Sequence, residues 1–499
     1  MEAIILAAGV GSRLKPITDS KPKCLVKVCG KTILMHQIEA YLEAGADCIT
    51  IVVGYKSDQV HSFVQQLNNP KIQVVNNEQY NKTNNMYSLW LCKNVLNRSN
   101  KITISNADVV FSKSIVCRLS EINNDAIVCQ KNYYNQEAMK ITVSNNLIIN
   151  DISKKIVEKE AFGCSIDMYL LCENGKSQLI KVMNKIIKFE RELNQWTEVA
   201  LQRLAKEGLV NFLPFCINEN ENWYEIDDNK DLLCAEIIFS ELAKKISKKK
   251  NFIFDLDGTI YVGEKPISGA TKLVSKLQKE GKSIRFISNN SSKNKIEYKT
   301  KLKSMGIQID ENQVTLSTDA AIDALKQKGY RKGFILGTKS MIKYLKDGGL
   351  FFENKNPEFV LLGYDTEVTY TKLKKGALFI QNGVPYYATH ADNFCPTSEG
   401  KIPDAGAFIK LFETTLGIIP TVFGKPEKTM AQFITDGSQN LDDYVLIGDR
   451  LYTDFKMANS IGLNFICVLT GETTRENLEN STEWPELVVD SVKDIISMV

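Results

Sequence analysis

The segment "NFIFDLDGT", residues 251–259, lies at the centre of this 499-residue chain and is its most informative stretch. A short apolar run typical of a buried strand ends on two carboxylates, Asp255 and Asp257, one residue apart. Because the strand ends there, the two acids can take different roles. Asp255 is suited to attack phosphorus, and Asp257 is suited to protonate a departing alcohol oxygen. Taken alone, the string also fits a calcium-binding loop or a turn.

Three further motifs end predicted strands in the same half of the chain. "FISNNSS" carries Ser288 and Asn289, whose donors can hold a phosphoryl group. "VFGKP" carries Lys425, which can pair with a carboxylate nucleophile and with a phosphate. "VLIGDRLYTD" carries Asp449, a candidate magnesium ligand, and Asp454 behind it. In this order, the four motifs predict phosphoryl transfer to an aspartate.

This set of motifs resembles the haloacid dehalogenase superfamily of phosphatases over residues 252–499. "LLGYDTEVTYTKL", "YYATHADNFCP" and "GKIPDAGAFIKLFETTLGIIPTVFGKP" are similar to the subfamily of phosphoglycolate, pyridoxal-phosphate and glycerol-phosphate phosphatases. The resemblance implies a Rossmannoid core, an α/β cap at about residues 338–420, and Asp392 in the substrate-binding set. It also implies a magnesium ion held by Asp255, Asp257 and Asp449.

Two residues depart from that subfamily's pattern. His390 stands where asparagine is usual, and Asp404 stands where glycine is usual. Both lie in predicted cap or hinge segments, so the substrate cannot be inferred from the subfamily. His390 is either a core or capping residue or a substrate contact.

The first half begins with a strand and a glycine-rich loop, "LAAGVGSRLKPITDSKPK", residues 6–23. Glycines let backbone amides approach a triphosphate closely, and basic side chains can neutralise charge on the α-phosphate and on departing pyrophosphate. A tight turn without a ligand is the alternative. The loop residues predicted to act in the site are Ala8, Gly9, Gly11, Ser12, Arg13 and Lys23.

This half resembles the sugar-phosphate and choline-phosphate nucleotidyltransferases over residues 1 to about 240. The resemblance implies a magnesium ion held by Asp108, in "ISNADVVF", and by Asp227, in "NWYEIDDNKDLLCAE". Asn106 and Ala107 replace the glycine that usually precedes the first of these aspartates. The reaction implied is in-line attack of an acceptor phosphate on the α-phosphorus of a nucleotide.

"VVGY" and "NNEQYNKTNNMYSLW" are most similar to the cytidylyltransferase branch, which implies CTP as the nucleotide. Asn84 and Asn85, with Ser88, are predicted either to contact nucleotide or acceptor, or to cap a helix. Glu198, in "WTE", is placed where that family binds the acceptor. Four aromatic residues form either a cage for a quaternary ammonium group or part of the core: Tyr134, Trp196, Trp223 and Tyr224.

Composition excludes several other classes of protein. The formal net charge of +3 gives no overall basic field for nucleic acid, and 43% hydrophobic residues with 24% charged residues are ordinary for a globular protein. Twelve cysteines without a CxxC pair predict reduced thiols, and three histidines argue against histidine-rich metal chemistry. The first residues match neither a signal peptide nor a membrane span. We expect a cytoplasmic enzyme of phosphoesters and a nucleotide, without membrane insertion, that can form a homo-oligomer.

Apolar strands alternate with amphipathic helices in both halves, which predicts an α/β protein with two doubly wound, mainly parallel sheets, the first Rossmann-like. The predicted domains are residues 1–243 and 252–499, joined by a basic linker at 244–251. A weak anionic-membrane or nucleic-acid patch is the alternative for that lysine-rich stretch.

The two halves together predict a bifunctional enzyme that makes an activated precursor for a surface polysaccharide. One alternative pairs a sugar 1-phosphate nucleotidyltransferase using UTP or GTP with a sugar-phosphate phosphatase. The other is a phosphatase that carries an inactive, regulatory nucleotide-binding domain.

Overall fold

The computed structural model describes residues 1–98, 100–397, 399–435, 438 and 440–499. The chain divides into two compact units, residues 1–239 and 240–499, so the boundary lies four residues before the predicted end of the first domain. The predicted linker is not solvated throughout. Lys249 is only 7% exposed, and its Nζ donates to Asp442 O and Asn464 Oδ1 within the second unit. None of the helices in the described ranges combines the length and apolar character needed to span a membrane.

The first unit contains thirteen strands and nine α-helices among the described residues. The strands are β1 (Glu2–Ala7), β2 (Lys27–Val28), β3 (Lys31–Thr32), β4 (Cys48–Val53), β5 (Ile72–Asn76), β6 (Ile102–Asn106), β7 (Val109–Phe111), β8 (Ala126–Lys131), β9 (Lys140–Val143), β10 (Ile149–Ser153), β11 (Gly163–Leu171), β12 (Leu213–Cys216) and β13 (Trp223–Glu225). The helices are α1 (Ile17–Ser20), α2 (Ile33–Glu43), α3 (Ser57–Leu67), α4 (Asn85–Leu91), α5 (Lys93–Arg98), α6 (Lys113–Glu121), α7 (Glu173–Asn184), α8 (Thr197–Lys206) and α9 (Asn229–Phe239).

The main sheet of the first unit has the order β10-β9-β11-β6-β1-β4-β5, with β8 paired to β11 and β12 paired to β8. Strands β6, β1, β4 and β5 are parallel, whereas β11 is antiparallel to β6 and to β8. Successive residues of β1 enter two different apolar clusters, because helices cover both faces of the sheet. The chain winds from β1 to β4 and β5, then returns to β6 on the other side of β1. The sheet therefore has a switch point between β1 and β6.

The second unit contains fifteen strands and ten α-helices among the described residues. The strands are β14 (Asn251–Asp255), β15 (Tyr261–Val262), β16 (Lys265–Pro266), β17 (Ser283–Ser288), β18 (Val314–Leu316), β19 (Lys332–Leu336), β20 (Phe351–Phe352), β21 (Phe359–Leu362), β22 (Tyr386–Ala388), β23 (Phe394–Thr397), β24 (Gly400–Pro403), β25 (Thr421–Val422), β26 (Tyr444–Gly448), β27 (Asn464–Val468) and β28 (Leu487–Val489). The helices are α10 (Ala270–Lys279), α11 (Lys295–Ser304), α12 (Ser317–Gln327), α13 (Lys339–Asp347), α14 (Tyr370–Gln381), α15 (Ala405–Leu416), α16 (Lys428–Ile434), α17 (Lys456–Ile461), α18 (Arg475–Asn480) and α19 (Val492–Ile495).

The core sheet of the second unit has the order β18-β17-β14-β26-β27-β28, and all its pairs are parallel. Its chain path repeats that of the first unit: it runs from β14 to β17 and β18, then returns to β26 on the other side of β14. The switch point therefore lies between β14 and β26, which are the strands that the two aspartate motifs follow. The predicted α/β class is confirmed in both units.

A second parallel sheet, with the order β20-β19-β21-β22-β25, forms the cap between β18 and β26. The cap starts earlier than predicted, because β19 (Lys332–Leu336) pairs with β20 and β21 rather than with the core sheet. Its two faces enter different apolar clusters, one of which includes residues of α14 and α15. An apolar strand sequence does not specify which sheet the strand joins, so this boundary could not be read from the sequence.

Candidate active sites

The first unit has a cleft of about 320 Å³ at the carboxyl ends of β1 and β6. Nine predicted site residues line it: Ala8, Gly9, Arg13, Lys23, Asn84, Asn85, Asp108, Glu198 and Asp227. Gly11 and Ser12 do not line it. Gly11 has a φ of +65°, and a Cβ there would lie 2.8 Å from Lys23 Cβ, so this glycine lets the loop pack under the lysine. Ser12 begins a short 3-10 helix, Ser12–Leu14.

Lys23 lies between the two aspartates that the sequence singled out. Its Nζ donates to Asp108 Oδ2 and to Asp227 Oδ1, each at 2.9 Å, and Arg13 Nη2 lies 2.8 Å from Asp227 Oδ2. Burial lowers the pKa of Lys23, but the charges of Asp108 and Asp227 outweigh that effect and raise the pKa overall. Glu225 is a third carboxylate at this point, and burial with the charge of Asp108 raises its pKa to about 7.

The donor set of this cleft fits a magnesium ion. Ligand oxygens of Asp108, Glu225 and Asp227 lie within 4.8 Å of one another. Among the described residues, Asp108 Oδ1 is one of the few buried side-chain oxygens without a hydrogen-bond partner. Hard cations with oxygen ligands satisfy such atoms. Glu225 was not predicted, although it stands in the quoted segment before Asp227.

Asp167 is a half-buried carboxylate of the cleft that sequence reasoning missed. It lies on β11 with a φ of +56°, where the register of β11 against β8 shifts. Asn106 Nδ2 donates to its Oδ2 at 3.1 Å, and burial with the charge of Glu198 raises its pKa well above the usual range. A single aspartate in an otherwise apolar strand was the available signal. Asn106, noted as a departure, thus orients an acidic residue of the cleft.

The polar residues of α4 act both as caps and as cleft residues. Asn84 Oδ1 accepts from Asn85 N at 2.9 Å, and Asn85 Oδ1 accepts from Thr197 N at 2.7 Å. Glu198 Oε1 accepts from Tyr169 OH at 2.5 Å, and burial raises the pKa of Glu198. Asn84, Asn85 and Glu198 all line the cleft, so helix capping and contact with a ligand are compatible here.

The four aromatic residues do not form a cage. Trp196 lines the cleft, whereas Tyr134, Trp223 and Tyr224 are not among its lining residues. Trp223 Nε1 donates to Gln130 Oε1 at 2.7 Å, and Tyr224 packs against an apolar cluster. The alternative, a part in the core, fits Trp223 and Tyr224, which are partly buried against apolar clusters.

The second unit has a much smaller pocket, about 20 Å³, at the carboxyl ends of β14, β17 and β26. It brings together six predicted residues: Asp255, Asp257, Ser288, Asn289, Asp392 and Lys425. Arg450, Cys395, Asn290 and Asp404 also line it. Arg450 lies in the quoted "VLIGDRLYTD" motif, so a signal for it was present.

Lys425 is the cation of this pocket. It is 3% exposed, contacts Asp255 Oδ1 through Nζ, and donates to Asp454 Oδ1 at 2.6 Å. Burial lowers the pKa of Lys425, but Asp255 and Asp454 outweigh that effect and raise it. Burial and the charge of Asp454 raise the pKa of Asp449 to about 7, since three carboxylates face one lysine.

The three carboxylates of this pocket also fit a magnesium ion. Ligand oxygens of Asp255, Asp449 and Asp454 lie within 4.8 Å of one another, and Asp449 Oδ1 is buried without a hydrogen-bond partner. Gly258 has a φ of +90°, and a Cβ there would lie 2.5 Å from Asp449 Oδ2, so only glycine fits beside this carboxylate. No carboxylate oxygen of Asp257 belongs to this group of described residues.

Asp257 is placed for acid chemistry instead. Burial raises the pKa of its carboxyl, against the opposing charges of Lys301 and Arg450. A raised pKa favours the protonated carboxyl, which is the form that a general acid requires. Asp255 and Asp257 therefore have different surroundings, as the end of the strand between them suggested.

Asn289 connects Lys425 to the cap. Its Oδ1 accepts from Lys425 N at 2.8 Å, and its Nδ2 donates to Asp392 Oδ1 at 3.0 Å. Asp392 Oδ2 in turn accepts from Arg450 Nη1 at 2.7 Å, and Ser288 Oγ accepts from Asn290 N at 3.1 Å. The cap residue Asp392 is thus held from the core side by two partners.

Comparisons with known proteins agree with this geometry. Residues 2–146 match a family model described as nucleotidyl transferase. Residues 252–351 match one described as haloacid dehalogenase-like hydrolase, and residues 422–495 match a model of the related HAD-hydrolase-like proteins.

The following similar proteins correspond to the second half. The 5'-nucleotidase YutF of Bacillus subtilis is 31% identical over 252 residues, which are 50% of this chain and 98% of that protein. An acid sugar phosphatase of Staphylococcus saprophyticus is 28% identical over 250 residues, 50% of this chain and 96% of that protein. A crystal structure of a 4-nitrophenylphosphatase from Thermotoga maritima, 34% identical, covers 50% of this chain and 98% of its own with a TM-score of 0.49. The chain therefore joins a nucleotidyl transferase domain to a hydrolase, and through its second half it belongs to the haloacid dehalogenase-like hydrolases.

Proposed function

We propose that this chain is a bifunctional enzyme. The first unit transfers CMP from CTP to a small phosphorylated alcohol or aminoalcohol and releases pyrophosphate. The second unit hydrolyses a phosphomonoester through an aspartyl phosphate. One observation carries the proposal: each unit has, at the switch point of its sheet, a lysine bound by two aspartates beside a buried aspartate oxygen without a partner.

In the first site, Lys23 and Arg13 bind the phosphates of the nucleotide and neutralise the charge that develops on the leaving pyrophosphate. Backbone amides around Gly9 approach the phosphates. Asp108 and Asp227, with Glu225, would hold the magnesium ion, which supplies charge neutralisation at the α-phosphate. No protein nucleophile is needed, because positioning and charge account for in-line transfer between phosphates.

In the second site, Asp255 attacks the phosphorus, the ester bond breaks, and Asp257 gives its proton to the departing alcohol oxygen. Ser288 holds a phosphoryl oxygen. The Nδ2 of Asn289, predicted to do the same, donates instead to Asp392 Oδ1 and Lys425 O, so this side chain positions Lys425. Lys425 keeps Asp255 and the phosphate together. Water then hydrolyses the aspartyl phosphate with Asp257 as the base. Asp255, Asp449 and Asp454 would hold a magnesium ion, which supplies positive charge for the approach of two anions.

Mass balance constrains how the two activities work together. If the phosphatase hydrolysed the same ester that the transferase activates, the enzyme would consume its own intermediate. The phosphatase therefore acts on an upstream phosphate, a misplaced isomer or a bisphosphate precursor. We place the pair in the cytoplasm, in the synthesis of an activated precursor for a surface polysaccharide.

The proposal is tested by incubating the full-length protein and magnesium with CTP, UTP, GTP or ATP and a panel of phosphoesters. Pyrophosphate release and phosphate release are measured separately. We expect pyrophosphate only with CTP and an accepted phosphoester, and phosphate without nucleotide. Release with UTP or GTP and a sugar 1-phosphate would favour the sugar nucleotidyltransferase instead. Phosphate release without any pyrophosphate would favour the regulatory domain.

A further inference from the structure

The two residues that depart from the phosphatase subfamily's pattern contact each other. His390 is fully buried, and its Nε2 lies 2.9 Å from Asp404 Oδ1, while its Nδ1 lies 2.9 Å from Thr389 Oγ1. Asp404 Oδ1 also accepts from Ala405 N at 2.6 Å, at the start of α15. Both ring nitrogens of His390 are therefore occupied, and one carboxylate oxygen of Asp404 is fixed by two donors.

Asp404 reaches the phosphatase pocket, whereas His390 lies behind it. Asp404 lines the same pocket as Asp255 and Asp257, and His390 is not among the lining residues. The phosphoryl group occupies the side of Asp255, Ser288 and Lys425, so the leaving alcohol must extend toward the residues that the cap supplies. Asp404 is therefore placed on the leaving-group side.

The positive charge on that side is already paired. Arg450 Nη1 lies 2.7 Å from Asp392 Oδ2, and Arg450 Nε lies 3.1 Å from Glu472 Oε2. A leaving group with its own carboxylate would compete with these two acids for one guanidinium. A leaving group that carries hydrogen-bond donors would instead meet the acceptor oxygen of Asp404.

A metal ion does not explain this group of residues. Ligand atoms of His390, Asp392 and Asp404 lie within 4.8 Å of one another, but each residue already has partners of its own. His390 binds Asp404 and Thr389, and Asp392 is bound by Asn289 and Arg450. A cation here would break a buried ion pair and face a guanidinium, at a cost that oxygen ligands would have to offset.

Building on the proposed phosphatase function, we propose that Asp404 binds the leaving group of the substrate and selects alcohols with a second hydroxyl or an amino group. Oδ1 is held by His390 and Ala405 N, so we assign Oδ2 as the acceptor for the substrate's donor. His390 acts as a positioning residue that fixes the carboxylate. A site that bonds a donor discriminates strongly against an analogue without it, because the buried acceptor is then left unpaired.

The test measures kcat/KM of the full-length protein on three esters: glycerol 1-phosphate, n-propyl phosphate, which lacks the hydroxyls, and p-nitrophenyl phosphate. We expect wild type to prefer glycerol 1-phosphate over n-propyl phosphate by about tenfold or more. Asp404→Asn keeps the contacts to His390 and Ala405 N but replaces the assigned acceptor with a donor. It should lower that preference by about tenfold, with n-propyl and p-nitrophenyl phosphate hydrolysis within about threefold of wild type.

Asp365→Asn is the matched control, because Asp365 is a buried cap aspartate paired with Lys372 and does not line the pocket. It should leave the preference unchanged within about twofold, as distant substitutions usually do. His390→Leu should raise KM for glycerol 1-phosphate with little change in KM for n-propyl phosphate. His390→Gln, which keeps an N–H donor, should restore most of the preference.

Two outcomes overturn the inference. In the first, the wild-type enzyme hydrolyses p-nitrophenyl phosphate but has equal kcat/KM for the glycerol and n-propyl esters. In the second, Asp404→Asn lowers kcat/KM equally for all three esters. Failure of wild type on every ester, p-nitrophenyl phosphate included, would instead overturn the proposed phosphatase itself.

Discussion

Both candidate sites contain a lysine bound by two aspartates, but the solvent exposure of these side chains differs between the two units. In the first unit, Lys23 is 13% exposed and Asp108 is 28% exposed, in a cleft of about 320 Å³. In the second unit, Lys425 is 3% exposed and Asp255 is 9% exposed, in a pocket of about 20 Å³. Each lysine is bound by two aspartates at the switch point of a parallel sheet.

The difference follows from what covers each switch point. The cap contributes Asp392 and Asp404 to the phosphatase pocket, so water is largely excluded and the charges there interact strongly. The cleft of the first unit, about 320 Å³, is the more open of the two. The proposed transfer between two phosphorylated substrates needs more space than hydrolysis of one small ester, which benefits from enclosure.

The largest effect is expected from Asp255→Asn. An amide cannot form the acyl phosphate, so phosphatase turnover should fall to background while nucleotidyl transfer stays within about twofold, because the two sites are separate. Phosphate and pyrophosphate release are measured on the same preparation. Measurable turnover of p-nitrophenyl phosphate would remove Asp255 as the nucleophile.

The next effect separates the two acids of the phosphatase. Asp257→Asn should slow hydrolysis of an alkyl ester by about 10²–10⁴-fold, the usual contribution of a positioned acid. Aryl esters such as p-nitrophenyl phosphate need little protonation of the leaving group, so their hydrolysis should fall much less. Steady-state rates on one aryl and one alkyl ester decide this. Equal losses on both would exclude Asp257 as the general acid.

In the open cleft, Asp108→Asn should reduce nucleotidyl transfer by about 10²–10³-fold. The substitution removes the negative charge of a proposed magnesium ligand and replaces one of its two carboxylate oxygens with an amide nitrogen. Phosphatase activity should stay within about twofold. The readout is pyrophosphate release at increasing magnesium concentration. Parallel loss of both activities would show that the sites are not independent.

Stability should respond differently to loss of a cation in the two sites. Lys425→Met leaves Asp255 and Asp454 buried without their cation and should lower the free energy of unfolding by about 3–5 kcal/mol. Arg13 is 66% exposed, so Arg13→Met should change it by less than about 1 kcal/mol. Denaturant unfolding of both variants tests this. Similar losses would mean that exposure does not separate the two sites.

The smallest effect is expected from separating the units. Fragments 1–239 and 240–499 each contain a complete switch-point site, so each should fold and keep its activity within about twofold. Circular dichroism and the two release assays are the measurements. An insoluble or inactive fragment, with the full chain active, would contradict the proposal of two independent domains.

Much of the fold was predictable because buried parallel strands are continuous apolar runs. The strands predicted to end at "NFIFDLDGT", "FISNNSS" and "VLIGDRLYTD" are β14, β17 and β26, and each ends at the motif. Residues at the ends of such strands were predictable too, because their polar side chains interrupt an apolar pattern. Asp255 and Asp449 were found in this way, whereas Asp108 was identified from the resemblance of its segment to a known family.

Other features depend on contacts between distant segments. The first strand of the cap, β19, lies outside the predicted cap bounds of about 338–420, because apolar composition does not specify a partner strand. Asp167 was missed because its role depends on a left-handed backbone position and on Asn106, 61 residues away in sequence.

The sequence by itself determined the α/β class, the two halves and most of the charged residues at the strand ends, because local periodicity and strand endings are written in neighbouring residues. Only the tertiary structure decided which carboxylates share a lysine, and that His390 and Asp404 form one pair. It also decided that one site is open and the other enclosed. Those facts depend on long-range packing, which brings together side chains that no local pattern connects.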